Sequence, residues 1–142
     1  MILRVATQIN APLNFCWELF SEAIHISKWY SASADWFVPQ VKQDFEIGGE
    51  FSYTLSAKDH SFSFDYKGYF TEIVNKQIIA YKLADGRNVQ IDFKYEDNHT
   101  EIIQAFEPEK FNTPEMQIAG WQAILNNFKS YTEHHYALKF VN

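Results

Sequence analysis

Residues 112–136, NTPEMQIAGWQAILNNFKSYTEHHY, form the longest periodic stretch of the chain. Its first residues read as a helix start. Asn112 or Thr113 supplies the cap, Pro114 suits the first helical position, and Glu115, three residues after Asn112, completes a capping box. Gln117, Ile118, Trp121, Ile124, Leu125, Phe128 and Thr132 share one face of a 3.6-residue wheel. Gln122, Asn126, Lys129, Ser130 and Glu133 share the opposite, polar face. A helix of about 23 residues spans roughly 34 Å at 1.5 Å per residue, enough to cross a small domain. Such a helix needs an apolar surface to lie on, and the rest of the chain is read as that surface.

Working outward, the preceding 110 or so residues alternate in the manner of strands. Leu3, Val5, Thr7 and Ile9 fall on one face of a first strand. Asn10-Ala11-Pro12 then opens a helix with Leu13, Cys16, Trp17 and Phe20 at i, i+3, i+4 and i+7, and Ser21 reads as the cap of a second short helix ending near Lys28. After an irregular stretch, residues 36–42 form a strand that Pro39 confines to an edge. Gly48-Gly49 marks a turn. Phe51, Tyr53 and Leu55 alternate, as do Phe62, Phe64, Tyr66, Gly68 and Phe70, with Gly68 expected at a bulge or bend. Strands at 77–83, 89–95 and 100–107 follow. Asp85-Gly86 is expected to form a type I′ hairpin turn and Asp97-Asn98 the next turn. Strands joined by hairpins and segregated from helices predict an α+β fold. The expected architecture is a curved antiparallel sheet of six to seven strands around the long C-terminal helix, with two short helices after the first strand, all in one domain, 1–142.

Composition narrows the function. The 142 residues include 13 Phe, 8 Tyr and 4 Trp, and a chain this long buries about 70% of its surface without disulfides or metal. A formal net charge of −6 and no run of Lys or Arg exclude phosphate-backbone or anionic-membrane binding as leading functions. No apolar window of about 20 residues spans a bilayer. One cysteine and no secretory leader pattern fit a reducing, cytoplasmic setting.

A set of short motifs falls in a familiar order. Asn10-Ala11-Pro12 through Trp17, Lys28-Trp29-Tyr30, Gly48-Gly49-Glu50-Phe51 and Gly68-Tyr69-Phe70-Thr71-Glu72-Ile73 are followed by Asp85-Gly86-Arg87, Phe106-Glu107-Pro108-Glu109, Gly120-Trp121 and Ile124-Leu125. Over nearly the whole chain this resembles the heat-shock protein 90 ATPase activator homologue 1-like family of the START-like (SRPBCC, helix-grip) superfamily. The resemblance implies a deep apolar pocket between sheet and helix for a lipid or other hydrophobic small molecule, with a link to stress physiology. It also implies two alternatives, a polyketide cyclase or dehydratase, and a chaperone-associated interaction module. The co-chaperone that names the family has a separate N-terminal chaperone-binding domain. This chain begins directly at the first strand, so the resemblance does not by itself extend to a chaperone partner.

The candidate pocket residues come from the inward faces. Phe51, Tyr53, Phe64, Tyr66, Tyr81 and Phe93 are assigned from the sheet, and Gln117, Trp121, Ile124 and Phe128 from the helix. Trp29 and Trp36 flank the irregular stretch expected at the pocket mouth. An apolar wall with a few polar groups is the usual form of a small-molecule site, although each ring taken singly also suits a filled core. Tyr53, Tyr66 and Gln117 are the expected inward polar groups, and Tyr53 and Tyr66 would serve as acid or base in the enzymatic alternative. Gly120 is expected to let a ring or ligand approach the helix backbone.

Other motifs read as structural. Cys16 lies on an apolar helical stripe without a histidine neighbour and is read as inert. Adjacent His134 and His135 diverge by about 100° on a helix, and the remaining histidines are scattered, so no metal site and no cofactor are expected. Glu107 and Glu109 are read as complementing the helix dipole, and Arg87 as solvated or paired with a carboxylate. A homodimer through an edge strand or the helix is compatible with this plan.

Overall fold

The computed structural model describes residues 1–141. Seven strands, β1 (Leu3–Ile9), β2 (Trp36–Gln43), β3 (Glu50–Ala57), β4 (Ser63–Val74), β5 (Ile78–Leu83), β6 (Asn88–Glu96) and β7 (His99–Phe106), form one antiparallel sheet in the order β1-β7-β6-β5-β4-β3-β2. Two short helices, α1 (Leu13–Ser21) and α2 (Ala23–Trp29), follow β1, and the long helix α3 (Pro114–Tyr136) continues into a π-helical turn, Ala137–Val141. The sheet curls around the helices, so the α+β helix-grip plan expected from the alternation is the one observed.

The hairpins fix the register, and one differs from its expected type. Asp97 and Asn98 both have positive φ, 52° and 64°, which is the type I′ requirement. At Asp85-Gly86 only Gly86 is positive, at 94°. There the Gly86 amide donates to Leu83 and the Leu83 amide to Arg87, a type I turn closed by a glycine bulge. Ala84 provides the extra loop residue that lets Asp85 keep an ordinary conformation. In β4 the bulge falls between Phe70 and Glu72 rather than at Gly68. Gly68 answers to crowding instead: a Cβ there would sit 2.2 Å from the Lys82 carbonyl oxygen.

Ser21 does not cap α2. It ends α1 and donates to the Trp17 carbonyl at 2.7 Å, while Glu22 takes the cap position without a side-chain bond. Cys16, Trp17 and Phe20 of the α1 stripe are buried and Leu13 is partly so, and Trp17 and Phe20 pack edge-on against Phe93 at 5.0 and 5.2 Å.

Thr113 alone caps α3, accepting from the Met116 amide at 3.1 Å. Pro114 then occupies the first helical position, leaving Glu115 one residue short of a capping box. Leu125, Phe128 and Thr132 are fully buried. Ile118 is not part of this seal, being 36% exposed. The polar face is not simply solvated either. Gln122 donates to the Ala6 carbonyl at 3.1 Å, Lys129 donates to that of Gln8, and Glu133 accepts from the Asn10 amide at 2.8 Å. These side chains satisfy backbone groups along β1, a terminal strand of the sheet, and dress an edge that would otherwise be open to pairing.

Candidate functional site

Strand alternation and sheet curvature direct the expected pocket residues to one side, but they divide into three groups there. Phe93, Phe128 and Trp29 are core. Phe128 lies 4.9 Å from Phe20 and 4.7 Å from Trp29, and the Trp29 indole donates to the Leu19 carbonyl at 2.9 Å. Trp29 is therefore an anchor under α2 rather than a mouth residue. Trp121 stacks flat on Phe106 at 3.9 Å, with Ile124 half-buried one turn on. Gln117 faces the connection before the helix, exchanging hydrogen bonds with Glu109 and donating to the Asn112 carbonyl. Its amide is used up by the chain.

Trp36 and Phe64 form a second group with Phe62, with ring centroids 5.9–6.2 Å apart. Phe62 is 59% and Phe64 43% exposed. The β3–β4 hairpin that carries Phe62 and Phe64 leaves both rings largely in solvent, while Trp36 on β2 is half-buried against the core.

The third group is a cluster of tyrosines. Tyr53 on β3, Tyr66 on β4 and Tyr81 on β5 meet Tyr30, the residue that ends α2. Tyr30 lies 5.2 Å from Tyr53 and 5.7 Å from Tyr66, and Phe51 lies 4.8 Å from Tyr81. The Tyr66 and Tyr81 hydroxyls hydrogen-bond at 2.7 Å, and Tyr53 donates to Gln43 at 3.4 Å. Beside the cluster lies an internal cavity of about 20 Å³, bordered by Tyr30, Tyr53, Tyr81, Gln43 and Gln104. That is room for about one water. The aromatic rings fill most of the space between the sheet and the helices.

Tyr30 also lines a surface cleft of about 500 Å³, whose other walls come from residues 31–34 and 36–38, from Ser27, Lys28 and Lys58, and from Ala123, Asn126, Asn127 and Ser130 of α3. Tyr30 is thus the residue that the ligand-sized cleft and the small cavity have in common. The segment over it is lightly held. Ser31 closes a tight turn onto Trp29 at 2.7 Å, Asn127 donates to the Trp29 carbonyl at 2.7 Å, and Asp35 accepts from the Lys58 amide at 2.8 Å.

Burial sets the electrostatics of the cluster. It pushes Tyr30 up to about 12, against the lowering effect of hydrogen bonds to Tyr66 and Tyr81. Tyr53, Tyr66 and Tyr81 are also raised well above the usual phenol range, again first by burial. All four phenols stay neutral at ordinary pH, so the cluster donates and accepts hydrogen bonds without ionising.

Elsewhere the chemistry is structural. Burial raises the Cys16 thiol to about 11, which keeps it unreactive. Glu109 is held below its usual range chiefly by the Phe111 amide, with the Asn112 amide adding to it. It organises the turn before α3, while Glu107 accepts from the Asn88 amide. Arg87 pairs with Asp85 at 2.8 Å. Among the described residues no three His, Cys, Asp or Glu side chains come together as a metal site, and no helix is long and apolar enough to cross a membrane. Sequence reasoning left Gln43 and Gln104 out of the pocket. Gln104 carried a visible signal, an amide between Ile102 and Phe106 in the inward series Thr100, Ile102, Gln104, Phe106.

Residues 10–133 match the family described as activator of Hsp90 ATPase homolog 1-like protein. The AHSA1-like protein from Aeromonas hydrophila is 33% identical over 95% of this chain and 94% of its own, with a TM-score of 0.90. A protein from Cytophaga hutchinsonii is 42% identical, covering 93% of this chain and 92% of its own at a TM-score of 0.81. A protein from Nitrosomonas europaea, 18% identical, covers 96% of this chain and 97% of its own at a TM-score of 0.82, a likeness of fold. No curated protein matches the chain.

Proposed function

The chain belongs to the activator of Hsp90 ATPase homolog 1-like family, and from that premise we propose that it takes up a hydrophobic small molecule between the sheet and α3. The single observation that carries this reading is that Tyr30 lines both the surface cleft and the small cavity. Swinging this ring outward, with residues 31–35, joins the two spaces into a volume of the size that small ligands occupy. Affinity then comes from apolar surface removed from water, at about 25 cal/mol per Å², less the cost of ordering the segment.

The neutral phenols favour binding over proton abstraction. A base working near neutrality needs a pKa near the operating pH, and burial moves these hydroxyls the other way. A cyclase or dehydratase reading therefore draws less support from this site than a binding reading.

Titration with the neutral fluorophore N-phenyl-1-naphthylamine, alongside thermal melts, tests the proposal. The parent protein is expected to enhance its fluorescence and gain Tm, and Tyr30→Ala to associate with it faster. If neither the parent nor a folded Tyr30→Ala responds to this probe, the proposal is overturned.

A further inference from the structure

The internal cavity contains a polar group that folding does not use. Gln104 sits on the concave face of β7 and is 5% exposed. Hydrogen bonds around it bypass it: Gln43 donates to the Ser21 carbonyl and accepts from Tyr53, and Tyr66 pairs with Tyr81. Among the described residues none hydrogen-bonds the Gln104 side-chain amide, which borders the cavity. The amide is not sealed off: it stays open to the water-sized space beside it. Its donor and acceptor are therefore free for whatever molecule occupies that space, a water or the polar end of a ligand.

The surroundings define the chemistry of that molecule. No Lys, Arg or His lines the cavity, so a carboxylate seated there would lose its hydration without gaining a counter-ion. An uncharged hydroxyl, carbonyl or carboxamide has what it needs, because a Gln amide offers both a donor and an acceptor. The rings around the remaining wall suit a flat apolar body.

Resting on the uptake proposed above, we infer that Gln104 is the specificity-determining residue of this pocket. It seats the uncharged polar end of an otherwise apolar, ring-containing ligand and discriminates against carboxylates. One hydrogen bond made in a buried site is worth up to about tenfold in affinity.

The test compares naphthalene, 2-naphthol and 2-naphthoate at neutral pH, by chemical-shift titration, on the parent and on Gln104→Met. In the parent 2-naphthol should bind about tenfold tighter than naphthalene, and 2-naphthoate weaker than both. Gln104→Met should hold naphthalene as well as the parent does, lose the naphthol advantage, and melt no lower. Should naphthalene and naphthol bind the parent equally, or the advantage survive in Gln104→Met, the assignment of Gln104 is wrong while uptake stands. Should 2-naphthoate bind the parent as well as 2-naphthol, the discrimination against carboxylates is wrong. Should no naphthalene compound bind the parent, the inference falls together with the reading it rests on.

Discussion

The same helix treats the two ends of the sheet differently. Over β1 and β7 it is sealed: Trp121 stacks on Phe106, Leu125, Phe128 and Thr132 are fully buried, and Gln122, Lys129 and Glu133 fasten it to the backbone of β1 and of Asn10 just after it. Toward β2, β3 and β4 it leaves a cleft, two exposed rings beside the half-buried Trp36, and Tyr30 lining both cleft and cavity. The difference bears on the proposed uptake. A helix fixed along one edge by both apolar and polar contacts has no cheap way to lift there, so the proposed uptake would enter from the side where the α2–β2 segment holds itself with a few hydrogen bonds.

The largest test of that contrast is a pair of truncations. Phe128→Ala leaves a cavity in the sealed half and should lower unfolding free energy by about 3–5 kcal/mol. Phe64→Ala removes a ring already half in solvent and should cost about 1 kcal/mol or less. Urea denaturation of both variants measures the two effects. Similar losses would mean that the open half is packed as tightly as the sealed one, and the contrast would be lost.

High pH should act on the open half next. The phenols of the cluster are raised above their unfolded value of about 10. Unfolding therefore releases protons once the pH passes the unfolded value. Their contribution is fully present below about pH 10 and declines as pH rises toward the value of about 12 held by Tyr30. Stability measured from pH 8 to 11 should be flat at first and then fall, with less fall in Tyr66→Phe. An identical alkaline profile for parent and variant would remove the cluster from the explanation.

How much of this was legible beforehand depends on what each residue answers to. Alternation in β3, β4 and β5 is a one-residue rule, and the residues it selects, Tyr53, Tyr66 and Tyr81, lie together in the folded chain. Register and reach are not one-residue properties. Phe64 obeys the alternation, yet its hairpin carries it into solvent, and Gln117 points inward but spends its amide on Glu109 and Asn112. Tyr30 ends a helix with no periodic partner, so only the folded chain brings it to Tyr66. The polar stripe of α3 misled for a related reason. Gln122, Lys129 and Glu133 look like a solvated face until β1 is placed alongside them.

That stripe supports a smaller prediction. Gln122→Ala and Lys129→Ala should each cost about 0.5–1.5 kcal/mol, the net worth of one hydrogen bond. Together they should also uncover the β1 edge and promote self-association, visible by size-exclusion chromatography at rising concentration. A double variant that stays as monodisperse as the parent would show that the helix seals this edge by packing alone.

The smallest effect is expected at Gly120. A glycine within a helix destabilises it by about 1 kcal/mol relative to alanine, and close approach of a ring or ligand is the usual compensation. None is present: a Cβ built on Gly120 meets nothing within 4 Å. The space lies on the flank of α3 away from β1, the side left open. Gly120→Ala should therefore stabilise the protein by up to about 1 kcal/mol without altering uptake of N-phenyl-1-naphthylamine, because a methyl group occupies little of an open flank. A stabilised variant with weakened probe binding would place the ligand directly against Gly120 and move the route of uptake from Tyr30 to the helix. A destabilised one would mean that this flank closes in solution, and the division of the sheet into sealed and open halves would have to be redrawn.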